Sequence, residues 1–272
     1  MLKILSLGAG VQSSTLIEMS EVGLLPRVDA AIFADTGWET PATYKHLEWL
    51  EQNISIPIYR VSKGNLREDQ RHAIVRGKKA DGERYASLPL YVKSGSPNGG
   101  MIRRQCTREY KIESIQKKLR ELAGLKPYQR AKGILVEQWF GISADESSRM
   151  RDSNTKWIEN RYPLVFDLKH PFIRRDCKRW SSENGFPPAP RSACIGCPYH
   201  NDNEWRNMKN NEPESFADAV EFDQMIRRRD KRRSETFLHR SLTPLGKVDF
   251  RTAEDMGQEN MFINECEGMC GL

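Results

Sequence analysis

Leu2-Lys3-Ile4-Leu5-Ser6-Leu7-Gly8-Ala9-Gly10-Val11-Gln12-Ser13-Ser14 decides how this chain is read. A short apolar run stops at two glycines, and a helical pattern with Leu16 and Met19 follows from Gln12 to Val22. A strand that passes into a helix through a glycine turn leaves backbone N–H groups and a helix N-terminus facing a phosphate. Further along, Val28 to Ala34 forms a second apolar run ending at Asp35. Pro41 to Asn53 spaces Tyr44, Leu47, Trp49 and Leu50 as a helix does, and Ile54 to Val61 supplies a third strand. The order β-α-β-α-β predicts an α/β fold, a Rossmann-type parallel sheet with crossover helices.

Beyond this frame, residues 63 to 100 turn polar, with a Gly/Ser/Pro-rich stretch at Ser94 to Gly100 that predicts an insertion or lid. Cys106 to Ala123 reads as a helix with Ile112, Ile115, Leu119 and Leu122 on one face, and Ile134 to Ile142 as a fourth strand. Past Tyr162 the periodicity weakens, prolines gather at Pro187, Pro188 and Pro190, and a helical stretch runs from about Asp202 to Arg233. These changes place a boundary near residue 160, between a nucleotide-binding domain, 1–160, and a helical cysteine-bearing region, 161–272. With 38% hydrophobic residues the 272-residue chain has material for a real core. No run approaches the roughly 18 apolar residues of a membrane span, and Met1 leads into Leu2–Leu5 with no charged leader, so a soluble, cytoplasmic protein is expected. The net charge of +6 favours anionic partners such as nucleotides or nucleic acid.

Taken alone, the glycine loop leaves alternatives open. No Gly-Lys-Ser/Thr follows it, which excludes the Walker pattern. A dinucleotide fingerprint would want a third glycine where Ser13 stands, although Asp35 is placed to hold a ribose, and a nicotinamide oxidoreductase follows from that reading. Phe33-Ala34-Asp35-Thr36-Gly37-Trp38-Glu39-Thr40 resembles the Asp-Thr-Gly segment of the PAPS reductase family, within the PP-loop ATP pyrophosphatase superfamily. Gly141-Ile142-Ser143-Ala144-Asp145-Glu146-Ser147-Ser148-Arg149 resembles that family's Gly-Ile-Arg-x-Asp-Glu-Ser-x-Arg segment. Gly8 to Ser13 is similar to the PP-loop Ser-Gly-Gly-x-Asp-Ser: Gly10 and Ser13 match, Gly8 replaces the first serine, Ala9 the first glycine and Gln12 the aspartate. The resemblance implies that Gly8, Gly10, Gln12, Ser13, Ser14, Asp35, Thr36, Gly37, Gly141, Asp145 and Arg149 line an adenine-nucleotide site. The ligand would be ATP with Mg, or a sulfonucleotide.

The six cysteines read as metal or redox chemistry, since they are too sparse for a disulfide scaffold. Cys194 and Cys197 form a Cys-x-x-Cys pair, while Cys106 and Cys177 each follow two arginines closely, in surroundings that favour thiolate. These four suit a [4Fe-4S] cluster or a zinc ion, and spacing alone does not choose. The family resemblance implies iron: Cys106-Thr107-Arg108-Glu109-Tyr110-Lys111 and the Cys194/Cys197 pair follow the layout of APS reductases, with Cys177 standing in for a missing adjacent cysteine. At the C-terminus, Cys270-Gly271-Leu272 resembles the Glu-Cys-Gly-Leu-His tail of PAPS and APS reductases, which implies Cys270 as nucleophile and Cys266 as its resolving partner.

The basic run Arg227 to Arg233 reads first as a solvated helix end and second as a nucleic-acid footprint. The combined expectation is a PAPS reductase-like enzyme of sulfur transfer. It would adenylate an acceptor, a nucleobase or DNA, with ATP and then insert sulfur, drawing on a sulfur donor or thiol reductant. The alternatives are a sulfonucleotide reductase and a zinc-stabilised nucleic-acid-binding protein without catalysis. Oligomerisation is left open by the sequence.

Overall fold

The computed structural model describes residues 1–71, 73–74, 84–93, 99–126, 128–227 and 235–251. From the N-terminus the chain runs β1 (Leu2–Leu7), α1 (Val11–Glu21), β2 (Ala30–Asp35), α2 (Pro41–Asn53), β3 (Ile58–Ser62) and α3 (Leu66–Arg71). Short strands β4 (Ala73–Ile74), β5 (Arg84–Tyr85), β6 (Tyr91–Val92) and β7 (Gly100–Met101) follow. A π-helical turn over Thr107–Ile112 leads into α4 (Glu113–Leu122), then come β8 (Val136–Phe140), a 3-10 segment Ala144–Arg149 and β9 (Ile158–Arg161). Helices α5 (Pro163–Phe166), α6 (Arg174–Glu183), α7 (Asp202–Asn211) and α8 (Pro213–Arg227), strand β10 (Thr236–Phe237) and a 3-10 turn Leu245–Lys247 complete the described elements.

The chain divides into two compact units. The first holds Met1–Lys63 and Tyr110–Ser192; the second holds Gly64–Glu109 and the described residues from Ala193. Where the sequence suggests one boundary near 160, the first unit runs on to Ser192. Residues 94–98 of the expected insertion or lid lie outside the described residues.

In the first unit five parallel strands lie in the order β3-β2-β1-β8-β9. Alternate residues serve opposite faces. Leu5, Leu7, Ala31 and Phe33 pack with Leu16 and Ile17 of α1, Leu47 and Leu50 of α2 and Cys177 of α6. Ile4, Ala30, Ile32, Val136 and Ile158 pack with Leu119 of α4 on the other side. A sheet covered on both faces needs apolar residues at both parities, which is why β1 and β2 read as continuous apolar runs. Helix α1 is buried from Val11 to Ser20, because the sheet covers one side and α6 the other. Helix α2 begins where Thr40 accepts the Thr43 N–H at 3.3 Å and Pro41 fills the first turn.

The strand order reverses at β1. Its neighbours are β2 on one side and β8 on the other, so the chain leaves β1 toward β2 and returns beside it as β8. Open α/β sheets bind ligands outside the carboxyl ends of strands at such a reversal. Leu7 and Phe140 end the two strands there, one step before Gly8 and Gly141.

The second unit is built differently. Arg67 of α3 meets Asp218 at 2.7 Å and Glu221 at 3.1 Å on α8. An edge-to-face aromatic series joins His200, Trp205, Phe216, Phe250 and His239. The helical stretch expected from Asp202 onward breaks into α7 and α8 at Pro213, whose ring cannot continue a helix and instead begins the next one. Residues 228–233 of the basic run lie outside the described residues.

Candidate functional site

The glycine loop leaves β1 through Ala9, which holds a left-handed φ of 52°. That conformation costs a residue with a side chain about 1–2 kcal/mol. Ser13 then staples the turn: its Oγ accepts the Gly8 N–H at 3.1 Å and donates to the Gly10 carbonyl at 3.2 Å. Gly10 is the residue just before α1, and its bare Cα face lies against Ser192, where an added Cβ would come within 3.0 Å of the serine Cβ.

Gly141 makes the closest approach. A Cβ there would sit 2.6 Å from the Ser13 nitrogen, 2.8 Å from its Cα and 2.9 Å from the Gln12 carbonyl carbon, all backbone atoms that cannot turn aside. Only glycine lets the exit of β8 rest on the first turn of α1. Gln12 adds a second link, donating from Nε2 to Ser143 Oγ at 3.3 Å in a buried position. Thus the loop and the Gly141–Arg149 segment, separated by some 130 residues in sequence, converge at the β1/β8 reversal.

Several residues named from the sequence do local work here. Ser14 turns away from the loop, its Oγ 2.9 Å from His46 Nε2 in the core, where burial pushes the imidazole pKa down. Asp35 accepts the Gly37 N–H at 2.7 Å and the Tyr44 hydroxyl at 2.8 Å. Burial first, then the hydrogen bond to Asp35, pushes the Tyr44 phenol upward. Thr36 donates to Glu39 Oε1 at 3.1 Å, and Lys111 Nζ reaches the same oxygen at 3.3 Å. Asp145 accepts the Arg174 N–H at the first turn of α6, at 3.2 and 3.4 Å, a carboxylate placed where a helix N-terminus favours one.

Positive charge surrounds Glu146. Arg149 Nη1 binds its Oε2 at 2.5 Å, and Arg174 and Arg191 lie within electrostatic reach. Burial nonetheless pushes the Glu146 carboxyl upward, so desolvation outweighs the three guanidinium groups. Arg174 Nε is buried without a hydrogen-bond partner among the described residues. Of these arginines only Arg149 was evident from motif spacing; Arg174, Arg191 and Ser192 sit in a stretch that sequence periodicity leaves blank.

A solved reductase is similar to this chain. It is phosphoadenylyl-sulfate (PAPS) reductase from Candida auris in its phosphate complex, with a TM-score of 0.40 and 13% sequence identity over 70% of this chain and 75% of that chain. No protein-family model matches the sequence, and no curated protein matches it.

The cysteines separate by environment. Cys177 is fully buried in the first unit's apolar core, and burial pushes its thiol up to about 12. A thiol held that high stays protonated at neutral pH, the opposite of the thiolate that its neighbouring arginines suggested. Cys106, Cys194 and Cys197 all belong to the second unit. There Arg104 lies over the Tyr199 ring at 5.5 Å, bringing the segment before Cys106 to the turn that follows Cys197. That turn closes through the His200 N–H to the Cys197 carbonyl at 3.1 Å, and the turn before it through the Cys197 N–H to the Cys194 carbonyl at 3.1 Å, with His200 Nε2 at 2.9 Å from the Cys194 oxygen. Among the described residues no three His, Cys, Asp or Glu side chains are grouped to hold a metal ion. Cys177 thus lies among apolar side chains of the first unit, while the other three described cysteines belong to the second. The tail residues Cys266 and Cys270 lie outside the described residues. No described helix is long and apolar enough to cross a membrane.

Proposed function

We propose that the first unit binds the phosphates of an adenine nucleotide at the Gly8–Gly10 turn, in the service of sulfur chemistry. The observation that carries this reading is the backbone approach of Gly141 onto Gln12 and Ser13, which gathers the loop, the Gly141–Arg149 segment and Ser192 at the sheet's reversal point. Gly8 and Gly10 offer a backbone free of side chains, and Arg149, Arg174 and Arg191 supply cations. The unsatisfied Arg174 Nε is a donor that an anionic oxygen would complete. The sequence resemblance to PAPS reductases supports an adenosine phosphate over other anions.

Two routes use such a site. In the first, ATP adenylates an acceptor, such as a nucleobase or DNA, and a sulfur nucleophile displaces AMP. In the second, a sulfonucleotide arrives already activated: a cysteine thiolate, which we assign to Cys270, attacks its sulfur, forming an S–S bond and releasing the adenosine phosphate. Cys266 then displaces sulfite as a disulfide forms, and an external dithiol restores both thiols. Gln12 favours the second route. Where PP-loop enzymes have an aspartate, this chain has an amide committed to Ser143, so the loop itself offers no carboxylate to a nucleotide-bound cation.

The test is titration of ATP, a sulfonucleotide and NADH, with and without Mg, against the full chain and against Ser13→Ala. Product analysis for pyrophosphate or sulfite then separates the two routes. Adenosine phosphates should bind and Ser13→Ala should weaken them; NADH binding without them would transfer the loop to a nicotinamide enzyme. Removal of Cys266 to Leu272 should abolish turnover and leave nucleotide affinity unchanged. Turnover retained in that truncation would remove the tail thiols from the reaction.

A further inference from the structure

His239, in the second unit, is buried, and both of its ring nitrogens are engaged. The Ser241 backbone N–H donates to Nδ1 at 3.2 Å, which makes Nδ1 the lone-pair nitrogen and puts the ring proton on Nε2. Nε2 faces Asp202 Oδ1 at 2.9 Å, a carboxylate that can only accept. Ser241 Oγ stands 2.8 Å from Nδ1, so its hydroxyl donates to the same lone pair. Carboxylate, imidazole and hydroxyl thus form one directed series that ends at an exposed serine.

Each member is fixed from behind. Asp202 is the first residue of α7, whose start is closed reciprocally by Asn201 and Glu204 at 2.9 and 2.8 Å. Its second oxygen accepts from Arg240 at 2.7 Å. The His239 ring meets Phe250 edge-on at 5.7 Å. Leu242, directly after the serine, holds a left-handed φ of 55°. Its side chain lies so close to Gly99 that a Cβ there would fall 2.8 Å from Leu242 Cδ1. Backbone strain beside an exposed hydroxyl is how a sharp turn presents a nucleophile. A local serine turn needs only the Nδ1 contacts; it has no use for a carboxylate on the far nitrogen.

We propose that Asp202, His239 and Ser241 form a nucleophilic serine centre that accepts acyl groups from carboxylic esters or thioesters. Ser241 Oγ bonds to the acyl carbon as its proton passes to His239 Nδ1. That proton then passes to the departing alkoxide or thiolate as the original ester bond breaks, and Asp202 stabilises the transient imidazolium. Water then attacks the acyl carbon as Nδ1 takes its proton, the bond from that carbon to Ser241 Oγ breaks, the carboxylic acid leaves, and the proton passes from Nδ1 to Oγ. The residue types and geometry are those of Ser-His-Asp relays on unrelated folds, with the two ring nitrogens exchanged.

The experiment is labelling of the full-length protein with a fluorophosphonate probe, followed by peptide mapping and by hydrolysis of p-nitrophenyl acetate. Label should reach Ser241 in near-stoichiometric yield, and Ser241→Ala, an exposed and conservative change, should abolish it without moving the thermal midpoint. Asp202→Asn should slow labelling by roughly 10²–10⁴-fold, the range in which a positioned acid or base acts. A folded protein left unlabelled at Ser241, or an Asp202→Asn variant labelled at the parent rate, would overturn the proposal. Because the centre is argued within the second unit alone, its failure would leave the nucleotide reading untouched.

Discussion

Glu18 is the only carboxylate on α1 that the sheet and α6 enclose completely, and replacing it with glutamine should change how stability responds to pH. Ser181 donates to Glu18 Oε2 at 2.5 Å, and Thr15 extends the contact at 3.1 Å from the Ser181 hydroxyl. The other oxygen, Oε1, is buried without a partner among the described residues. Burial outweighs the Ser181 hydrogen bond and lifts the carboxyl from its ordinary 4.5 to about 7. Between those values the folded chain keeps a proton that the unfolded chain has released. Stability from this group is therefore fully present below 4.5 and falls as pH rises through 7. At 1.36 kcal/mol for each factor of ten in proton affinity, the loss across that window is about 3 kcal/mol. Glu18→Gln keeps the shape and removes the ionisation, at a cost of about 1 kcal/mol for a buried amide N–H short of partners. The variant should match or fall slightly below the parent at pH 5 and exceed it by roughly 2 kcal/mol at pH 8. Urea unfolding of both proteins at several pH values from 5 to 8.5 gives the difference directly, with all other groups cancelling. A difference that stays constant over that range would refute a neutral Glu18.

Other substitutions address the site. Gly141→Ala should cost about 1–3 kcal/mol by forcing backbone apart at Ser13, and thermal melting would read it. Ser13→Ala removes the hydroxyl that closes the turn, for about 1 kcal/mol of stability and a roughly tenfold loss of adenosine-phosphate affinity by calorimetry. Cys177→Ala should leave any iron or zinc in the purified protein unchanged, whereas Cys194→Ser should lower it; equal losses in elemental analysis would return Cys177 to the ligand set. Arg174→Ala should weaken nucleotide phosphates more than adenosine, as competition binding would show.

How much of this was legible in the sequence depended on whether a feature is local. The β-α-β-α-β frame could be read because strands and helices announce themselves by spacing, and α2 starts and ends where the sequence places it, at Pro41 and Asn53. Gly8 and Gly10 were named because glycines after a strand mark a phosphate-facing turn, and Gly141 because its segment resembles a family motif; that Gly141 rests on Gln12 and Ser13, more than a hundred residues away, appears only in the fold. Ser192, beside Gly8 and Gly10, and Arg174 and Arg191, near Glu146, were missed because tertiary packing alone brings them there. The burial of Cys177 was hidden for the same cause: its arginine neighbours in sequence suggest a thiolate, while in the fold the thiol packs in the apolar interior. Asp202 and His239 were also hidden, since 37 residues separate a carboxylate and an imidazole that folding sets 2.9 Å apart.

Gln12 shows why a departure from a motif can carry as much physical content as a match. Read against the PP-loop pattern, it is a lost carboxylate. In the fold it is a buried amide whose donor reaches Ser143 on the segment that follows β8. A carboxylate at this position would have no proton to donate, would be desolvated at 8% exposure, and would stand in the same unit as the Glu146 carboxyl that burial already penalises. The amide can hold the two segments together without adding charge. The loop therefore carries no charge of its own, and the cations of this unit that act on a neighbouring carboxylate, Arg149, Arg174 and Arg191, lie on other segments, where no comparison of the loop alone would reveal them.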